Sequence, residues 1–317
     1  MTAQGSFPIS REVIRAIGVT TLCAAFALYV PVLGFLFAVF LPLPVLFYRS
    51  KLGRESGGIV LAGSVAFLWV LIGQKILSGA VFFFIELLLL GFILQEIFER
   101  RLSVEKTVAY SSGAVLGLAL VWLVVRSMMS STGLPDLLAG HMKGSLESVL
   151  MVYKEVGFSE EYTRTMAGAL DKIVYVLVRV VPAMMVVSTL VVVWSNILVV
   201  RPLLRERNLF CPDFGTLNEW KAPEHLVWVA IACGVLLLVP LTFLRFVGLN
   251  GLIMLMPIYF FQGIAIVSYY MERKNVPRPL RVFLYSFIAL QQFLLFLVIG
   301  LGLFDLWGDF RRLRRSV

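Results

Sequence analysis

Charge is scarce in this chain. Asp, Glu, Lys and Arg make up 15% of its 317 residues, and apolar residues make up 60%. A soluble domain carries about 25% charge and about 45–50% apolar residues. A water-soluble fold would have to expose that excess, so the composition excludes an ordinary soluble enzyme, a disordered chain and a nucleic-acid-binding domain. Histidine is scarcer still, with only His141 and His225. The three cysteines, Cys23, Cys211 and Cys233, have no metal-ligand spacing. Neither a disulfide framework nor a metal site is expected. No HExxH, GxSxG or phosphate-cradling glycine loop occurs, and no loop is long enough to hold an ATPase. The sequence therefore offers no catalytic residue and no cofactor, and the expectation is that the protein is not an enzyme. Arg11 and Arg15 precede an apolar run, but no small-x-small cleavage site follows it, so that run is read as a retained span.

Long apolar runs are what the chain has instead. Mean hydropathy is +0.91. A helix needs about 20 apolar residues to cross a hydrocarbon core of about 30 Å. Nine runs approach that length, at residues 13–30, 32–47, 57–73, 80–98, 107–128, 173–200, 226–244, 252–270 and 282–303. Their continuity predicts helices, because barrel strands would alternate over about 10 residues. The expected fold is an all-α, polytopic transmembrane bundle of eight to nine spans, one membrane domain over 1–317, with the lipid bilayer as its first partner. Pro31 and Pro42-Leu43-Pro44 bracket the second run and suggest a tight hairpin with the first.

The charge that exists is patterned. Lys and Arg number 28 against 19 acids, a formal +9. Arg49, Lys51 and Arg54, then Arg100, Arg101 and Lys106, then Arg201, Arg205 and Arg207, then Arg273, Lys274, Arg278 and Arg281 follow alternate runs. The positive-inside rule puts these four loops and the N-terminus in the cytoplasm. That predicts a multi-pass protein of a bacterial cytoplasmic (inner) membrane with no nucleic-acid partner. Residues 303–317 form a basic amphipathic tail, with Leu303, Leu306, Trp307, Phe310 and Leu313 at helical spacing and Arg311, Arg312, Arg314 and Arg315 beside them. Nine full crossings would place this tail outside, so either the last run re-enters or an earlier one does not cross. The one long outward connection, 130–171, reads as a helical segment on the outer face. Ser159-Glu160-Glu161 is a helix start, and Leu146, Val149, Leu150 and Tyr153 mark an apolar face.

Ionised residues inside spans cost several kcal/mol and need a partner or a role. Glu86 in the fourth run and Arg179 in the sixth stand out, each about 10 Å below the outer surface at 1.5 Å per residue. Lys75 and Arg126 sit at outer span ends and could join them, as could Arg245. Gln262 and Gln291 are amides within the eighth and ninth runs. Three readings stay open: an ion pair fixing helix packing, an outward polar pocket for a small, vitamin-like or anionic solute, or proton-coupled chemistry at Glu86. Pro182, Pro240 and Pro257 mark kinks, and Gly113-x-x-x-Gly117 is a close-packing pattern.

The last third carries a more specific pattern. Asn196, Arg201-Pro202-Leu203-Leu204-Arg205, Phe214, Trp220-Lys221-Ala222-Pro223, Asn250, Tyr259 to Val267 and Gly302-Leu303-Phe304-Asp305-Leu306-Trp307-Gly308-Asp309-Phe310-Arg311 resemble the YybS-like family of predicted bacterial membrane proteins. Leu41-Pro42-Leu43-Pro44 with Arg49 and Gly53, and Gly91-Phe92-Ile93-Leu94 with Arg100 and Arg101, fit it too. The resemblance implies a membrane protein whose activity is unknown. It also implies distant similarity to the substrate-binding membrane subunits of energy-coupling-factor transporters, although the first span lacks their every-fourth-residue alanine row. Two functions are therefore carried forward. One is a solute-binding or transport-related component. The other is a non-catalytic scaffold that recruits a membrane or cytoplasmic protein partner through its loops and basic tail.

Overall fold

The computed structural model describes residues 10–30, 33–72, 79–156 and 159–311. All regular structure among them is helical. The membrane domain expected over 1–317 is built of two compact units, Met1–Val121 with Thr189–Phe214, and Trp122–Ser188 with Gly215–Val317.

The first unit holds α1 (Arg11–Tyr29), α2 (Leu33–Val39), α3 (Pro42–Leu52), α4 (Arg54–Ile72) and α5 (Gly79–Glu99). It also takes in most of α6 (Val104–Ser130) and the end of α8 (Glu160–Glu206). Ser10 starts α1 by accepting a hydrogen bond from the Val13 amide at 3.3 Å, which satisfies one of the free amides of a first turn. The expected hairpin of the first two runs forms: α1 packs on α2, and the Ala27 carbonyl lies where a side chain at Gly34 would go. Pro42 does not end the second run. It opens α3, where its fixed φ suits a first turn and its missing N–H is not needed. α3 then packs against α4 and α5.

The second unit holds α7 (Leu134–Glu155), the first half of α8, α9 (His225–Leu238), α10 (Thr242–Arg273), α11 (Arg278–Leu290) and α12 (Gln292–Gly308). The connection expected over 130–171 is helical, made of α7 and the first turns of α8, and on α7 Leu146, Leu150 and Tyr153 are half-buried while Val149 is exposed. Its Lys143 pairs with Asp171 of α8 at 3.1 Å. α10 packs on α9 and α12.

Six helices among the described residues are long and apolar enough to cross a membrane, or seven if the α11–α12 pair is one span. The protein is a polytopic helical membrane protein, with fewer qualifying spans than the eight or nine expected. The reasons are local. Pro240 is not a kink within a span; it cuts the 226–244 run. Val239 before it is extended, at φ −70° and ψ 131°, as a residue preceding proline prefers. α9 is left with 14 residues. The 282–303 run breaks at Gln291, where α11 and α12 meet at 101°. α4, which carries the third run, ends at the edge of the described residues.

Candidate functional site

Arg179 lies in the middle of α8, and Tyr175 is one turn before it. The guanidinium sits 3.4 Å from the Tyr175 ring centroid and 5.5 Å from that of Phe246 on α10. Its Nη1 donates to the Tyr175 carbonyl at 2.9 Å. Spacing of four residues puts ring and cation on one helix face, and an aromatic face attracts a cation electrostatically. No carboxylate pairs with Arg179 among the described residues.

Asn250 shapes the backbone beside it. Its Nδ2 donates to the Arg179 carbonyl at 2.9 Å, and its Oδ1 accepts from the Ala183 amide at 3.3 Å. Those two backbone groups are an i, i−4 helical pair, in the turn where Pro182 removes a donor. The amide of α10 thus reinforces α8 at its weakest turn. A cavity of about 780 Å³ opens here, lined by Tyr175, Arg179, Pro182, Cys233, Phe243, Phe246, Asn250 and Met254 among others. Small-molecule sites span about 300–1,000 Å³. The walls are largely apolar and aromatic, with Arg179 the charged residue among them.

None of the other expected site residues is among the described lining of this cavity. Glu86 belongs to the first unit. It is buried on α5 among Phe84, Leu87, Leu88 and Leu90, and its Oε1 has no hydrogen-bond partner among the described residues. Arg126 is half-buried near the end of α6. Gln291 is exposed at the α11–α12 break. Lys75 lies outside the described residues. Gln262 is buried in a different cluster. Its Oε1 accepts from the Ala222 amide at 3.2 Å and its Nε2 donates to Asp305 at 3.1 Å.

That cluster gathers the motifs of the last third. Asp305 and Arg311 form an ion pair at 2.8 Å, with both side chains fully buried. The second Asp305 oxygen accepts from the Phe310 amide at 3.1 Å. Arg311 Nη1 also donates to the carbonyls of Asn218 and Trp220, at 2.7 and 3.0 Å. Asp309 adopts the left-handed conformation, at φ 35° and ψ 52°, which ends α12 and turns Arg311 back under it. Lys221 pairs with Asp309 at 2.9 Å. Of the basic tail expected over 303–317, residues 303–308 are therefore the last turns of α12, Arg311 is internal, and residues 312–317 lie outside the described residues.

The first unit has a counterpart. Arg49, read from sequence as a loop cation, has a fully buried side chain. It donates to the Phe92 carbonyl and to Glu96, and its guanidinium lies 3.9 Å from the Phe92 ring centroid. Gly57 of α4 leaves it room: a Cβ there would meet the Arg49 side chain at 2.7 Å. Asn196 ties α8 to the end of α2, donating to Val39 and Val192 carbonyls at 2.8 and 2.7 Å. Arg201 lies over Phe214 at 5.5 Å.

So the motifs that carry the resemblance build two buried arginine knots, one in each unit. The profile of a family described as "Predicted membrane protein (DUF2232)" matches residues 18–306. The chain belongs to that family. A relative of this DUF2232 protein is the uncharacterized protein YybS of Bacillus subtilis (strain 168). It is 24% identical over 259 residues, which cover 80% of this chain and 81% of that protein. No solved structure matches the chain. Neither description names an activity.

Proposed function

We propose that this DUF2232 protein is a solute-binding or transport-related component of a bacterial cytoplasmic membrane, and that its ligand occupies the cavity at Arg179. The observation that carries this reading is a guanidinium with no carboxylate partner among the described residues, held against two aromatic rings in a ligand-sized apolar cavity. Such a site suits an anion on an apolar body: the carboxylate meets the guanidinium in a charge-assisted pair, and the body fills the cavity between Phe243, Phe246 and Met254. Resemblance to substrate-binding membrane subunits supports the same reading, and the alternating basic loops support a cytoplasmic N-terminus.

The test is thermal unfolding of the purified protein in dodecyl maltoside with carboxylates of aromatic and aliphatic body, from benzoate to octanoate. At least one raises the midpoint for the wild type, and its methyl ester does not. Arg179→Gln binds it roughly ten- to a hundredfold more weakly, as expected for a lost bond to a charged group of about 1.5–3 kcal/mol. Equal response of wild type and variant, or no response to any carboxylate, removes the support for this site.

A further inference from the structure

A second, unrelated cavity lies in the first unit. It measures about 400 Å³ and is lined by Glu12, Arg15, Tyr48, Lys51, Arg207 and their apolar neighbours. Three separate chain ends converge on it. Glu12 and Arg15 share one face of the first turns of α1, three residues apart. Lys51 is in the last turn of α3. Arg207 follows α8, where Asn208 takes a left-handed conformation at φ 53° and the Leu209 amide returns to the Leu204 carbonyl at 2.9 Å. The turn that ends α8 thus fixes Arg207 and Leu209 in the wall.

The charges do not balance. Lys51 pairs with Glu12 at 2.7 Å. Arg15 and Arg207 have no ion-pair partner among the described residues, and the Tyr48 hydroxyl has no hydrogen-bond partner among them. Arg15, Lys51 and Arg207 are exposed, so water screens their mutual repulsion; three cations and one acid still leave a formal +2 around one cavity, a surplus that attracts an anion. Guanidinium groups present a planar fork that matches phosphate oxygens two at a time. A tyrosine hydroxyl can donate once more, and Phe47 and Leu209 supply an apolar floor.

We propose that this cavity binds a phosphate group, with Arg15 and Arg207 as its clamps, Lys51 as a third cation and Glu12 as the residue that tempers their charge. The site is independent of the Arg179 cavity. A phosphate can reach it on an anionic lipid headgroup or on a soluble molecule, and the chemistry is the same.

The test uses the full chain, delipidated in dodecyl maltoside, with two probes: dioleoyl phosphatidylglycerol, followed by native mass spectrometry, and inorganic phosphate, followed by thermal shift. The wild type retains at least one probe. Retention of the lipid alone identifies a headgroup site, and a shift with inorganic phosphate identifies a site for soluble phosphates; either supports the proposal. Arg15→Gln/Arg207→Gln loses at least tenfold in affinity. Glu12→Gln, which removes the acid, binds severalfold more tightly. Arg273→Gln/Arg278→Gln removes the same charge from another exposed loop and binds like the wild type. The proposal is overturned if the wild type holds neither probe, if the Arg15/Arg207 double variant binds normally, or if the Arg273/Arg278 control loses binding equally.

Discussion

Asp305 and Arg311 show what a single buried charge demands of its surroundings. An ion pair in an apolar interior gives up hydration on both partners, and it holds only when the remaining polar atoms are satisfied as well. Here Gln262, the Phe310 amide and two backbone carbonyls satisfy most of them, and Arg311 Nε alone of the pair's atoms has no partner among the described residues. Removing one partner leaves the other charged and buried, which costs about 3–5 kcal/mol. Asp305→Asn and Arg311→Gln should therefore each lower the unfolding midpoint sharply in detergent. The combined Asp305→Leu/Arg311→Met protein should recover part of the loss, because no charge is then left buried, but not all of it, because Gln262, the Phe310 amide and the Asn218 and Trp220 carbonyls lose their partners. Lys221→Ala, which breaks a half-buried pair, should cost about 1 kcal/mol or less. The same scale explains what could be read in advance. Arg179 was visible because a cation amid Val176–Val178 and Val180–Val181 has no other excuse. Its partners Tyr175 and Phe246 were not, since aromatic residues abound in every span. Asp305 and Arg49 were hidden for a different reason: each lies at the edge of an apolar run, where a charge looks solvated, and only tertiary packing buries it.

Helices were readable as elements, because most described residues of each of the nine apolar runs are helical. Their ends were less so. Pro240 and Gln291 cut runs that hydropathy alone treats as continuous, and Pro42 opens a new helix inside the second run. Packing between helices was the least readable. Gly113-x-x-x-Gly117 has the spacing of a close-approach seam, yet a Cβ at either glycine meets nothing within 4 Å. One seam that is used joins α10 to α12. There a Cβ at Gly302 would strike the Tyr259 carbonyl, and one at Gly263 would strike the Val298 carbonyl. Spacing permits an approach but cannot say which face meets a neighbour. Alanine at the two kinds of glycine should separate them. Gly302→Ala forces backbone apart and should destabilise by about 1–3 kcal/mol, as overpacking does. Gly113→Ala stiffens an uncrowded helix interior and should stabilise by roughly 0.5–1 kcal/mol. Thermal unfolding of the two variants side by side checks both signs.

At the scale of the molecule, the pattern of basic loops predicts a sidedness that no single contact carries. α6 has 27 residues, or about 40 Å of helix, so its ends should lie on opposite faces of the membrane. With Cys23, Cys211 and Cys233 replaced by serine, a single cysteine at Arg100 should react with a membrane-impermeant maleimide only from the cytoplasmic side. One at Ser131 should react only from the other. Labelling of both from one face would mean that α6 does not cross. α9 poses the opposite problem. Its 14 residues reach about 21 Å, well short of a hydrocarbon core of about 30 Å. Where so short a helix meets lipid as a span, local thinning of the bilayer is one of the ways the mismatch is relieved. Cys233 of α9 also walls the Arg179 cavity. The dimple that a stunted helix imposes on its lipids would bring headgroups and water down toward that guanidinium, giving a hydrated ligand a shallower descent than the full depth of the membrane.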